Sequence, residues 1–207
     1  MQRKNANLFH DRSYKKNTAR LFVIVGNTPN KNDSNGKDLI IQAVDSMGTL
    51  HASIIPKYTS RAHKSDDGNE MICDCKFEQT DKGTRITAKD GTVCYGDIVY
   101  ERNGNIYGFS SENIWDGLKR GKFQVVVVSD ADTINDIRNK FGGLVVLVYV
   151  HSHNYEKPGI VDDEFKLFSR NFDLFDHVLI YENKAEELYD QLFRLFRAYE
   201  KDNMRRN

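Results

Sequence analysis

Four short apolar runs constrain the fold of this chain more than any other feature. Leu21-Phe22-Val23-Ile24-Val25, Phe123 to Val128, Leu144 to Val150 and Val178-Leu179-Ile180-Tyr181 are nearly continuous, with no polar residue at alternate positions. A strand exposed on one face alternates, whereas a strand covered on both faces reads as an unbroken apolar run. Between these runs lie segments with helical spacing. Leu39, Ile40, Ile41, Val44 and Met47 define one, and Thr133 to Phe141, Asp162 to Phe172 and Ala185 to Tyr199 define others. Ser111 to Leu118 predicts a further helix, with Ser111 as its cap. Buried strands alternating with helices predict a parallel sheet with right-handed crossovers and helices on both faces.

The pattern changes between about Thr59 and Gly108. Short β-like pieces there are separated by the turn signals Asp67-Gly68, Asp90-Gly91 and Asn103-Gly104, which predicts a small β-rich lobe inserted at about 59–108. The core domain is then expected from 21–58 and 109–200, preceded by a basic arm at 1–20 and followed by a polar tail at 201–207. The arm holds Arg3, Lys4, Arg12, Lys15, Lys16 and Arg20 against the single acid Asp11, and it is the one segment suited to touch nucleic acid.

Net charge is zero, which argues against general affinity for nucleic acid. No stretch approaches the roughly 18 to 20 apolar residues of a membrane span. The first seven residues lack the apolar centre of a secretory signal, so a cytoplasmic setting is expected. Cys73, Cys75 and Cys94 form no disulfide framework and are expected to be reduced. A zinc site at Cys73-Asp74-Cys75 would need two more ligands, and nothing nearby supplies them at the usual spacing. His151-Ser152-His153 reads as a pair of ordinary loop histidines.

Three constellations are suited to chemistry. The first apolar run ends at Gly26, and a polar loop then leads to Gly36-Lys37 and a helix. Glycine amides at a helix N-terminus wrap a phosphate, and a lysine reaches its outer oxygens. Nine residues separate the two glycines, where the usual loop has about four. Asp38 stands where a Ser or Thr normally holds magnesium, and as a hard carboxylate it is a candidate ligand for that ion. The second constellation is Lys57-Tyr58-Thr59-Ser60-Arg61 with Lys64, which gathers three cations and three hydroxyls suited to a phosphate monoester. A solvated basic loop is the plain alternative. The third places Asp130 just past a central strand, where α/β folds hold their ligands, and Arg138 on the helix that follows.

In this order the motifs resemble the guanylate kinase family over about Leu21 to Phe196. The glycine loop ending in Gly36-Lys37 comes first. Tyr58-Thr59-Ser60-Arg61 is similar to the family's Ser-Thr-Thr-Arg segment, and Gly104-Asn105-Ile106-Tyr107-Gly108 to its Gly-Asn-x-Tyr-Gly signature. Gly121-Lys122 then leads to Asp130 and Arg138, and Phe175-Asp176-His177-Val178 precedes the last strand.

The resemblance implies a P-loop nucleoside-monophosphate-kinase fold and transfer of a phosphoryl group from ATP, with magnesium, to GMP. It implies that Gly26, Gly36 and Lys37 hold the donor phosphates. Arg61, Lys64 and Tyr107 would hold the acceptor phosphate. Asp130 would lie near the acceptor or the metal, and Arg138 would stabilise the transferred group.

The sequence departs from the family in its stretched loop, in Phe109 after Tyr-Gly and in Met71 near an expected tyrosine. The guanine-reading glutamate is replaced by Ile98, or by Asp97 after a slip of one residue. The segment between His151 and Asp176, where the family has an arginine-rich lid, is short and offers Lys157, Lys166 and Arg170. These departures keep a second reading open: a family fold that has lost the transfer and grips a protein partner.

Overall fold

The computed structural model describes residues 19–26, 39–47, 52–64, 67–68, 70–128, 130–152, 163–182 and 185–205. Five strands, β1 (Leu21–Val25), β2 (Ala52–Ile54), β10 (Phe123–Val127), β11 (Val145–Ser152) and β12 (His177–Tyr181), pair in parallel in the order β12-β11-β1-β10-β2. Counting only these strands along the chain, the order is 2-3-1-4-5. The chain passes from β1 to the edge strand β2, returns to fill the gap with β10, and then crosses to β11 and β12 on the other side of β1. The topological switch point therefore lies at β1, and the ligand crevice of such a sheet opens beyond its carboxyl end.

Every side chain of β1 is buried, as its unbroken apolar run requires. Phe22 and Ile24 point into a core shared with α1 (Leu39–Ser46) and α5 (Ala185–Arg205), which supplies Leu188, Leu192 and Phe196. Leu21, Val23 and Val25 point the other way. They meet Ile114 and Leu118 of α2 (Ser111–Lys119), Ile134, Ile137 and Phe141 of α3 (Ala131–Phe141), and Leu167 and Phe168 of α4 (Asp163–Arg170). Helices cover both faces of the sheet, which is the physical reason its strands show no alternation. The chain has an α/β architecture with a parallel central sheet. No helix among the described residues is long and apolar enough to cross a membrane.

Two smaller sheets occupy the segment with turn signals. β3 (Lys57–Thr59), β4 (Met71–Ile72), β8 (Ile98–Arg102) and β9 (Asn105–Phe109) form one, ordered β4-β3-β9-β8. β5 (Lys76–Thr80), β6 (Gly83–Thr87) and β7 (Val93–Gly96) form the other. Asn103 and Gly104 both take positive φ, 53° and 71°, as a two-residue hairpin turn of the right twist demands. That turn fixes the register Arg102↔Asn105, Tyr100↔Tyr107 and Ile98↔Phe109.

Element ends differ from the sequence-based expectations in two instructive places. The cap of α2 is Ser110, whose hydroxyl accepts the Asn113 N–H at 3.5 Å, and not Ser111. Ser111 is the first helical residue because the Asp97 carboxylate already takes both its N–H and its hydroxyl. The closing helix, expected to stop near Tyr199, continues to Arg205.

Candidate active site

The face of the β3-β9-β8 sheet that turns toward the parallel core brings together residues far apart in sequence. Side chains alternate along a strand, and the observed register puts Thr59, Tyr107 and Tyr100 on one face in a row. Lys57 lies on that face as well, its ammonium 5.6 Å from the centre of the Phe109 ring. The inner end of the row, Ile98 and Phe109, is buried in the core beside α2 and α3. Tyr107 and Tyr100 follow, only partly buried and stacked with ring centres 5.3 Å apart. Burial raises the Tyr100 hydroxyl well above the ordinary tyrosine range, and the charges of Tyr107 and Asp130 add to the effect.

Arg61 closes the row on the β3 side. The local backbone is tightly held. The Thr59 hydroxyl accepts the Arg61 N–H at 3.1 Å, the Thr59 carbonyl accepts Cys75 N–H at 2.9 Å, and the Arg61 carbonyl accepts Asp74 N–H at 3.0 Å. The guanidinium donates to the Asp67 carboxylate and to the Ala62 carbonyl at 2.8 Å. The bond to Asp67 lifts Arg61 above its ordinary value against the pull of burial, and a smaller push comes from the Tyr107 hydroxyl. On Asp67 burial acts upward, but Arg61, the Lys64 N–H and the Cys73 thiol together hold its carboxyl below the ordinary range. A fork-shaped, permanently charged donor beside a tyrosine hydroxyl matches the oxygens of a phosphate monoester.

The other residues singled out in the sequence fall in different places. Thr59 is fully buried and its hydroxyl is spent on the Arg61 N–H, so it shapes the turn and does not face a ligand. Ser60 is exposed, and its hydroxyl accepts the Ile106 N–H at 2.9 Å, tying β3 to β9. Lys64 is exposed.

Asp130 caps α3, with one carboxylate oxygen accepting both the N–H and the hydroxyl of Thr133, at 2.8 and 2.6 Å. Arg138 sits eight residues further on, about 12 Å along the helix axis. There it donates to the Leu174 carbonyl at 3.2 Å. Asp130 and Arg138 thus serve different partners and do not converge.

Gly26 ends β1 at the switch point, and a methyl group there would lie 2.5 Å from the Val150 carbonyl oxygen. Only glycine fits this close strand approach without movement of backbone. Gly36, Lys37 and Asp38 lie outside the described residues, as do Lys157, His153 and most of the basic arm.

Neither residue considered as a guanine reader faces the row as a free acceptor. Ile98 is buried among apolar side chains. Asp97 is bound by Ser111 and by the Lys140 ammonium at 2.9 Å.

Two participants were not legible as site residues in the sequence, Tyr100 and Asp67. Tyr100 is recoverable once Asn103-Gly104 is taken as a two-residue turn, because the hairpin register then pairs it with Tyr107. Asp67 carried only a turn signal.

No family model matches the sequence, and no curated protein matches it. The fold, by contrast, is similar to the solved structure of guanylate kinase from Anaplasma phagocytophilum. The TM-score is 0.55 at 15% sequence identity, and the match covers 88% of this chain and 87% of that chain. At that identity the likeness speaks for the fold.

Proposed function

We propose that this chain binds nucleotides and transfers a phosphoryl group from ATP to GMP or a related nucleoside monophosphate. The observation that carries the reading is Arg61 beside the row of Tyr107 and Tyr100, in a chain whose fold is similar to that of a guanylate kinase. In this reading the Arg61 guanidinium and the Tyr107 hydroxyl grip the acceptor phosphate, with Lys64 and Lys57 raising the local positive potential. The stacked Tyr100 and Tyr107 rings offer an aromatic wall. Gly36 and Lys37, which precede α1 in the sequence and lie outside the described residues, hold the donor phosphates. The magnesium that accompanies ATP falls to Asp38, outside the described residues. The Asp130 carboxylate, committed to Thr133, is not a ready ligand.

Phosphoryl transfer is catalysed mainly by positioning and charge, and a cytoplasmic setting supplies both nucleotides. The experiment is a coupled ADP-release assay with ATP, magnesium and GMP. Turnover is expected in the native chain and is expected to be lost in Lys37→Ala. A second reading, a module that keeps the fold and binds a protein partner, is favoured by the engagement of Asp97 with Ser111 and Lys140. Absence of ADP release at millimolar GMP and ATP would select it.

A further inference from the structure

Beside Arg61, three side chains of the right chemistry for a metal ion converge, His63 and Asp67 from the loop between β3 and β4 and Cys73 from just after β4. His63 Nδ1 lies 3.3 Å from Asp67 Oδ2, and Cys73 Sγ lies 3.3 Å from the same oxygen. All three ligand atoms fall within 4.8 Å of one another. A tetrahedral ion with bonds of about 2.0 to 2.3 Å to nitrogen, oxygen and sulfur sets its ligands about 3.3 to 3.6 Å apart. Two edges of that tetrahedron are already close to length. The third, between His63 and Cys73, is no longer than 4.8 Å, and the His63 ring that would close it is 64% exposed.

We propose that His63, Asp67 and Cys73 form a site for a borderline divalent transition ion of the zinc class, with water completing the fourth position. The donor set of one imidazole, one carboxylate and one thiolate suits zinc or cobalt and discriminates against magnesium, which takes oxygen ligands. On binding, the Cys73 thiol loses its proton to solvent and the sulfur bonds the ion, so carboxylate and thiolate together balance the dication.

Asp67 is prepared for this role by the division of its two oxygens. Oδ1 is held by the Arg61 guanidinium, while Oδ2 accepts the Lys64 N–H at 2.7 Å and faces His63 and Cys73. The ion takes Oδ2 and leaves the arginine in place as the partner that fixes the carboxylate, the usual arrangement around metal ligands. Cys75, two residues on, takes no part. It is buried, and its thiol donates to the Ile72 carbonyl at 3.2 Å. The site thus keeps only Cys73 of the Cys73-Asp74-Cys75 pair and adds His63 and Asp67, which are not at a familiar ligand spacing.

The test titrates Co2+ into the reduced, metal-free full-length protein and follows thiolate-to-cobalt charge transfer and the visible bands of four-coordinate cobalt. One equivalent is expected to bind and to be displaced by equimolar Zn2+. His63→Ala and Cys73→Ala are each expected to weaken binding at least tenfold, because losing even an outer partner of a ligand typically costs about 10- to 100-fold, while Cys94→Ala leaves it unchanged. Circular dichroism establishes that each variant is folded. Should Cys73→Ala fail to fold, the exposed His63→Ala decides alone. No thiolate band with the native chain, or a band that survives both substitutions at full affinity, overturns the proposal.

Discussion

Arg61→Ala is expected to weaken GMP binding by at least about 30-fold, and by as much as a few thousand-fold. The estimate follows from the roughly 2 to 5 kcal/mol lost when one partner of a hydrogen-bonded, largely desolvated charge pair is truncated. Arg61 has 16% of its side chain exposed. Its orientation is fixed by two neighbours, the Asp67 carboxylate and the Ala62 carbonyl. An arginine held in this way gives up little conformational freedom when an anion arrives. Arg61→Lys keeps the charge but loses the planar fork, and it is expected to recover only part of the affinity. Calorimetric titration of both variants with GMP checks the result. Equal affinity of Arg61→Ala and the native chain would place the acceptor phosphate elsewhere.

The second large effect concerns the fold. Phe22→Ala is expected to destabilise the chain by about 3 to 5 kcal/mol, the range found when a buried phenylalanine is cut to alanine. Phe22 is fully buried at the centre of β1. Its ring meets Phe196 at 4.4 Å and Phe123 at 5.4 Å between centres, and stands edge-on to Tyr199 at 5.3 Å. Strand β1, its neighbour β10 and the closing helix α5 thus share one aromatic knot. Losing its middle ring leaves a void bounded by three elements that cannot all close on it. Urea unfolding measures the loss as a lower midpoint at unchanged slope. A shift worth less than about 1 kcal/mol would mean that α5 repacks freely against the sheet.

The architecture was readable in the sequence because burial on both faces writes itself directly into composition. The runs at Leu21, Phe123, Leu144 and Val178 all became strands of the parallel sheet, and the helical spacing between them became its two covering layers. The Asn103-Gly104 turn was equally legible, since few residues other than these accept its two positive φ angles. The polar constellations were less so. A run such as Lys57 to Arg61 states which groups are present, but alternation decides which of them share a face. It put Thr59 on the same face as Tyr107, where burial and the Arg61 N–H took its hydroxyl. Asp130 and Arg138 looked like partners at eight residues' spacing, but capping claimed one and the Leu174 carbonyl the other. His63, Asp67 and Cys73 are spaced like ordinary loop residues, and only the fold of the chain on either side of β4 shows that they meet.

The most direct test of the nucleotide reading is a calorimetric titration of the native chain with GMP and, in parallel, with guanosine. If Arg61 and Tyr107 grip the phosphate monoester, GMP binds one-to-one and guanosine binds at least tenfold more weakly. No binding of GMP at millimolar concentration, or equal binding of the two, would contradict it.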